Sequence, residues 1–290
     1  MKIIRAAHLG MCFGVRDAIN LALQTAASQP LTVLGELVHN ESVLAELRSR
    51  GVATQSDLAN VRTPTAMVTA HGASQKTLER AKGFGLRVVE ATCPLVHTAH
   101  RAVERLVRDG YHPVIIGQRG HVEVRGITED LAEFDVVLSE SEVLMMMARA
   151  KFGVAAQTTQ PIDKVRHLVR AIGRHFPEAE VRFIDTVCQP TKQRQSAAIE
   201  LAKNCDVVVV VGGRNSNNTR ELVATCTQFC RQVFHVQGPE DVDDSWFTDA
   251  ECVGLTAGTS TPDDLIEAVE QRLAKAALDV ASAPQYAAAG

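Results

Sequence analysis

The chain has 290 residues, 46% hydrophobic and 22% charged, which fits a globular protein of one large domain or two to three small ones. Thirty basic against 34 acidic side chains leave a net charge of −4, and aromatic residues make up 4%, a balance that excludes a nucleic-acid surface. The longest clean apolar run, Val207–Val211, is far short of the ~20 residues of a membrane helix, and no leader-like opening is present, so the sequence predicts a cytoplasmic protein.

In chain order, strands alternate with helices. A strand-like opening, KIIRAAHLG, leads to Cys12, and GVRDAINLALQTAA follows as a helix with Val15, Ile19, Ala22 and Leu23 on one face. LTVLGELV is a strand ending at His39-Asn40, and ESVLAELRSR is a helix stopped by Gly51. PTAMVTA is a strand ending at His71-Gly72, SQKTLERAKGFG a helix, and LRVVEAT a strand ending at Cys93. Pro94 then suits the first position of the next helix. HPVIIGQ leads to Arg119-Gly120-His121-Val122-Glu123. KFGVAAQ leads to Thr158-Thr159, IDKVRHLVRAIGRHF is a helix, and VRFIDTV ends at Cys188. In the last third, DVVVVVGG runs into Asn215-Ser216-Asn217-Asn218-Thr219, and CVGLTA into Gly258-Thr259-Ser260. A closing helix and a tail without periodicity follow.

Three rounds share one register. Cys12 to His39 is 27 residues, Cys93 to His121 is 28 and Cys188 to Ser216 is 28; Cys12 to His71, Cys93 to Thr158 and Cys188 to Ser260 are 59, 65 and 72. Each third therefore offers a cysteine at one strand end and polar residues at two later ones. Strands alternating with helices predict parallel sheets, whose ligands bind beyond the carboxyl ends of the strands. The expected division is an α/β chain of three pseudo-threefold, trefoil-like units, residues 1–92, 93–187 and 188–280, with a loose tail at 281–290. Such an arrangement aims three thiolates at one point.

Seven cysteines, an odd number without a CxxC, do not read as a disulfide framework. Cys226 and Cys230, four apart on a helix, suit core packing better than ligation. Iron–sulfur cubes are normally held by four thiolates, so three leave one iron without a protein ligand, as in catalytic metal sites. Three cysteines also match a zinc site, which nothing else in the sequence requires. His39, His71 and His121, with Ser216, Asn217, Asn218 and Ser260 in turns rich in backbone donors, suit a phosphate or diphosphate. Neither a Walker lysine nor GxGxxG is present, so a nucleotide is not expected. Glu123 is the one carboxylate at such a tip and can shuttle a proton, and Thr158 can orient a substrate hydroxyl.

GMCFGVRDAI, GELVHN, TAHG, EATCPLV, GHVEVRG, QTTQ, DTVCQPTKQRQ, GGRNSNNTREL and LTAGTSTPDDLI, in this order from about residue 8 to residue 270, together resemble the 4-hydroxy-3-methylbut-2-enyl diphosphate reductase (LytB) family. The resemblance implies a 4Fe-4S cluster held by Cys12, Cys93 and Cys188. It implies reductive removal of the substrate's hydroxyl to give isopentenyl and dimethylallyl diphosphate, the last step of the non-mevalonate isoprenoid pathway. Electrons would come from a ferredoxin or flavodoxin. Glu123 matches the proton-relay acid, Thr158 the threonine near the hydroxyl, and His39, His71, His121, Ser216, Asn218 and Ser260 the diphosphate pocket. Asn217 stands where many members have a second serine, Val122 where proline is usual, and Gln189-Pro190 is also unusual. The alternatives are an iron–sulfur hydro-lyase, a paralogue acting on a related diphosphate, or a non-catalytic sensor.

Overall fold

A computed structural model describes residues 1–282. The elements in chain order are β1 (Lys2–Arg5), α1 (Phe13–Ser28), β2 (Leu31–Leu34), α2 (Glu41–Ser49), β3 (Val52–Gln55), β4 (Thr65–Val68), α3 (Gln75–Gly83), β5 (Arg87–Glu90) and α4 (Pro94–Arg108). Then come β6 (His112–Ile116), α5 (Val122–Thr128), β7 (Asp135–Val137), α6 (Glu140–Leu144), β8 (Lys151–Ala156), α7 (Ile162–His175), β9 (Glu180–Phe183) and α8 (Gln189–Asn204). The last are β10 (Val207–Val211), α9 (Asn217–Thr227), β11 (Gln232–Val236), β12 (Cys252–Ala257) and α10 (Asp263–Ser282). Among the described residues the strands form three four-stranded sheets, ordered β3-β2-β4-β5, β7-β6-β8-β9 and β1-β12-β10-β11, and every pairing is parallel.

The chain divides into two compact units, Phe13–Lys192 and Met1–Cys12 with Gln193 onward. The larger holds two of the sheets. Its cores show why runs of valine and isoleucine become strands covered on both faces. Phe152, Val154 and Ala156 of β8 pack with Val165, Leu168 and Ile172 of α7, while Ala155 and Ile115 pack with Ala99 and Val103 of α4. α4 lies close on β8 at Gly153, where a Cβ would come within 2.9 Å of Leu106 Cβ.

The smaller unit is built on β10, whose five valines are all buried. Val207, Val209 and Val211 face α10, and Val208 and Val210 face α8 and α9. β1 was expected with the first round, residues 1–92, and instead pairs with β12, Lys2 opposite Cys252 through Arg5 opposite Leu255. Ile3 and Ile4 point to opposite faces and add to the two cores on either side of that sheet. β3 and α5 were not anticipated. β3 is a mostly exposed edge strand without alternation, and α5 is too short for a helical period. The tail expected at 281–290 begins inside α10, and its residues from 283 lie outside the described residues.

Candidate active site

Every candidate site residue follows the carboxyl end of a parallel strand, where open α/β sheets bind ligands. The two units hold different parts of the set.

In the larger unit, His121 caps α5 and its Nδ1 accepts the N–H of Glu123 at 3.2 Å. That bond starts the helix without the usual proline, since Val122 fills the first helical position. It also turns Glu123 inward, leaving it 1% exposed. Among the described residues its side-chain partner is Thr158: the backbone N–H donates to Oε1 at 2.7 Å and the hydroxyl to Oε2 at 3.1 Å. Both bonds favour the carboxylate, but burial outweighs them and pushes the Glu123 pKa up to about 7. A carboxyl poised there both holds and releases a proton near neutrality. Thr158 is held in turn by its neighbours. Gln157, fully buried, accepts the N–H of Gln118, and the Thr158 carbonyl accepts the N–H of Cys188.

His39, His71 and His121 come from three different loops of this unit and meet with ring centroids 5.4–6.2 Å apart. One ring nitrogen from each lies within 4.8 Å of the others, a spacing that also admits a metal ion. Tautomers set what each ring offers. An Nδ1 that accepts a backbone N–H carries no proton, so the neutral His121 ring is protonated at Nε2 and offers a donor there. His39 Nδ1 faces Glu36 Oε2 at 2.9 Å, and His71 Nδ1 faces Thr69 Oγ1 at 3.3 Å. Burial first, and then the neighbouring His121 and His39, push the His71 pKa down to about 3. The donor at His121 Nε2 suits an anion, while the Glu36 carboxylate at His39 Nδ1 leaves the neutral His39 Nε2 as an acceptor. Glu36 and Thr69, which set ring orientation, were not anticipated; their sequence signal is only their place three and two residues before the histidines.

Cys93 caps α4 with Pro94 at the first helical position, as expected, so its sulfur stands at the positive end of a 15-residue helix. The absence of a side chain at Gly14 makes room for it, because a Cβ there would lie 2.6 Å from Cys93 Sγ. Cys188 Sγ lies 3.0 Å from Thr191 Oγ1. In the smaller unit, the Cys12 N–H donates to the Thr259 carbonyl, and buried Arg194 donates twice to the Gly10 carbonyl. These three thiols are half-buried, whereas Cys226 and Cys230 are buried in the core and their thiols donate to backbone carbonyls. The strand-end thiols thus have the access a soft metal or cluster needs, and the core pair does not.

The smaller unit contributes the other polar tips. Ser216 caps α9, accepting the N–H of Thr219 at 3.3 Å, and Asn217 and Asn218 open the helix. Asn218 Oδ1 accepts the Thr259 N–H at 2.9 Å, which orients its amide. Asn217 Nδ2, Asn218 Nδ2 and Ser260 Oγ are buried and have no hydrogen-bond partner among the described residues. Each such group costs about 1–3 kcal/mol, and two amide donors beside a helix N-terminus suit an anion. Thr219 wedges between two glycines: a Cβ on Gly258 would meet its Oγ1 at 2.1 Å, and one on Gly212 at 2.5 Å. Gly258→Ala is therefore expected to cost about 1–3 kcal/mol in urea unfolding, the usual cost of overpacking.

A buried carboxyl raised towards neutrality and a cluster of three imidazoles, both at strand ends, are groups suited to proton transfer and to holding a ligand. The chain belongs to the LytB protein family, whose model matches residues 3–274. It is 38% identical over 275 residues to a 4-hydroxy-3-methylbut-2-enyl diphosphate reductase of Trichlorobacter lovleyi, covering 94% of this chain and 98% of that one. It is 37% identical to the protein of the same name from Geobacter sulfurreducens, covering 94% and 97%. Among solved structures, the E-1-hydroxy-2-methyl-but-2-enyl-4-diphosphate reductase of Plasmodium falciparum matches with a TM-score of 0.86 at 26% identity, covering 98% of this chain and 89% of that one. A structure described as (E)-4-hydroxy-3-methyl-but-2-enyl diphosphate reductase, the terminal enzyme of the non-mevalonate pathway, matches with a TM-score of 0.68 at 33% identity, covering 94% and 99%.

Proposed function

We propose that this chain reduces (E)-4-hydroxy-3-methylbut-2-enyl diphosphate to isopentenyl and dimethylallyl diphosphate, releasing the substrate hydroxyl as water, in the cytoplasm and with electrons from a ferredoxin or flavodoxin. The observation that carries this reading is Glu123, buried and bonded to Thr158, in the same unit as the three histidines. Family membership and the relatives' names supply the substrate.

Cys12, Cys93 and Cys188 are the proposed ligands of a 4Fe-4S cluster, a role supported by their partial exposure, the helix start at Cys93 and the cradle left by Gly14. When bound, the cluster would relay two electrons from the donor, one at a time, and would offer a Lewis-acidic iron. The remaining steps belong to the chain's own residues. In the larger unit the His121 Nε2–H is the donor for phosphate oxygens, beside His39 and His71; in the smaller unit the amides of Asn217 and Asn218 and the hydroxyls of Ser216 and Ser260 are donors of the same kind. Asn217 offers an amide N–H in place of the serine hydroxyl common in the family. The Thr158 hydroxyl, bonded to Glu123 Oε2, stands ready to orient the substrate hydroxyl and to pass it the proton that Glu123 holds near neutral pH.

The test is anaerobic reconstitution with iron and sulfide, followed by turnover of the hydroxymethylbutenyl diphosphate with reduced viologen. Formation of the two five-carbon diphosphates supports the reading, and a reconstituted protein that leaves the substrate intact overturns it. A second measurement isolates the anion pocket. His71→Ala is expected to weaken binding of inorganic diphosphate about 10–100-fold by calorimetry, the worth of one hydrogen bond to a charged group.

A further inference from the structure

Two cysteines outside the proposed cluster set face each other in the smaller unit. Cys205 follows α8 and Cys252 opens β12, and their sulfurs are 3.1 Å apart. A disulfide bond is about 2.0 Å long, so closure needs a movement of about 1 Å. We propose that Cys205 and Cys252 are a reversible thiol–disulfide pair, a modification site at the amino ends of the strands of this sheet.

The backbone already holds the two residues in place. Val207 lies opposite Val253 in the parallel register of β10 and β12, which puts Asp206 beside Cys252 and Cys205 one step beyond. The Asp206 N–H donates to the Cys252 carbonyl at 3.0 Å. The Asp206 carboxylate accepts the N–H groups of Glu251 and Cys252 at 3.0 and 2.9 Å. One residue therefore ties the two cysteine backbones together through three hydrogen bonds. Gly254 leaves space above the strand for the sulfur, since a Cβ there would lie 3.2 Å from Cys205 Sγ. Both thiols are half-buried and so open to a small oxidant. Cys230, by contrast, is 6% exposed and its thiol donates to the carbonyls of Cys205, Asp206 and Gln232.

The oxidant is a low-molecular-weight disulfide. The Cys252 thiolate attacks one of its sulfurs, forming a mixed disulfide and releasing one small thiolate. Cys205 loses its proton to solvent, and its sulfur attacks Cys252 Sγ, forming the internal bond and releasing the second small thiol. Two protein thiols are oxidised as one external disulfide is reduced to two thiols. Burial, with Cys252 close by, pushes the Cys205 pKa up to about 12, which makes it the resolving rather than the attacking sulfur. The bond joins the end of α8 to β12 and leaves the carboxyl ends of the strands, where Ser216 and Ser260 lie, unaltered.

The test uses the cluster-loaded full chain, kept anaerobic and treated with oxidised glutathione, then alkylated and digested with trypsin. Cleavage separates Cys205 on peptide 204–214, Cys226 and Cys230 on 221–231, and Cys252 on 232–272. The expected product is a 204–214 to 232–272 crosslink that dithiothreitol reverses. Cys205→Ser is expected to stop at glutathione on Cys252. Oxidation is expected to raise the thermal midpoint on the order of 5 °C, a rise absent in Cys205→Ser. Glutathione that stays on Cys252 in the parent protein, a crosslink through Cys230 instead, or no modification of either thiol overturns the proposal.

Discussion

Glu123→Gln is expected to lower turnover about 10²–10⁴-fold, the usual contribution of a positioned general acid, while the protein becomes more stable at neutral and alkaline pH. The two effects share one cause. Below pH 4.5 the carboxyl is protonated in both folded and unfolded chains and has no net effect. Between 4.5 and about 7 the unfolded chain releases the proton and the folded chain keeps it, so stability falls as pH rises. Above about 7 the full cost is present, about 3 kcal/mol for a shift of this size. Glutamine never ionises, and its carbonyl still accepts the Thr158 N–H. Urea midpoints at pH 5 and pH 8 measure the gain in stability: the variant's advantage must grow between them. Turnover measures the loss of the acid, and in the parent it is expected to decline as pH rises through about 7. A variant that is more stable yet fully active would remove Glu123 from the proton path.

Cys93→Ser is expected to reduce bound iron and sulfide from about four of each per chain to below about one, and turnover to background. Serine keeps the helix start and most of the volume, so far-ultraviolet dichroism is expected to be unchanged. Cys226→Ala is the control. Its sulfur is buried in the core of the smaller unit and donates to the Ala198 carbonyl, so iron content is expected to stay at the parent level. Iron that survives Cys93→Ser would refute the proposed ligand set.

Much of the fold was legible because its strands are short apolar runs punctuated by glycine, cysteine or histidine. Val207–Val211 can only be an interior strand, and Pro94 after Cys93 marks a helix start that the structure has at that residue. The partner of β1 was not legible, because four residues with two isoleucines fit the edge of any sheet and nothing local names the neighbour. β3 was hidden by its exposed polar residues, and α5 by having fewer than three turns. The candidate residues were found by matched spacing, but their physics was not. Glu123 was legible as a carboxylate at a strand-end tip, but its burial and its two bonds to Thr158, 35 residues away, were not. The histidines read as three separate donors. Their mutual contact, and the tautomer imposed on His121 by one backbone N–H, required three loops distant in sequence to be brought together.

The pairing of β1 with β12 has a consequence for how the protein is made. Strand partners at residues 2–5 and 252–255 are separated by nearly the whole chain. At about 5–20 residues per second, a ribosome needs roughly 12–50 seconds to get from one to the other. The larger unit can fold in that interval, but the smaller one cannot close, and Cys12 has no Thr259 carbonyl to anchor it until the last strand emerges. Translation itself then orders assembly: Cys12, the first of the three proposed ligands to leave the ribosome, is the last to gain its backbone anchor.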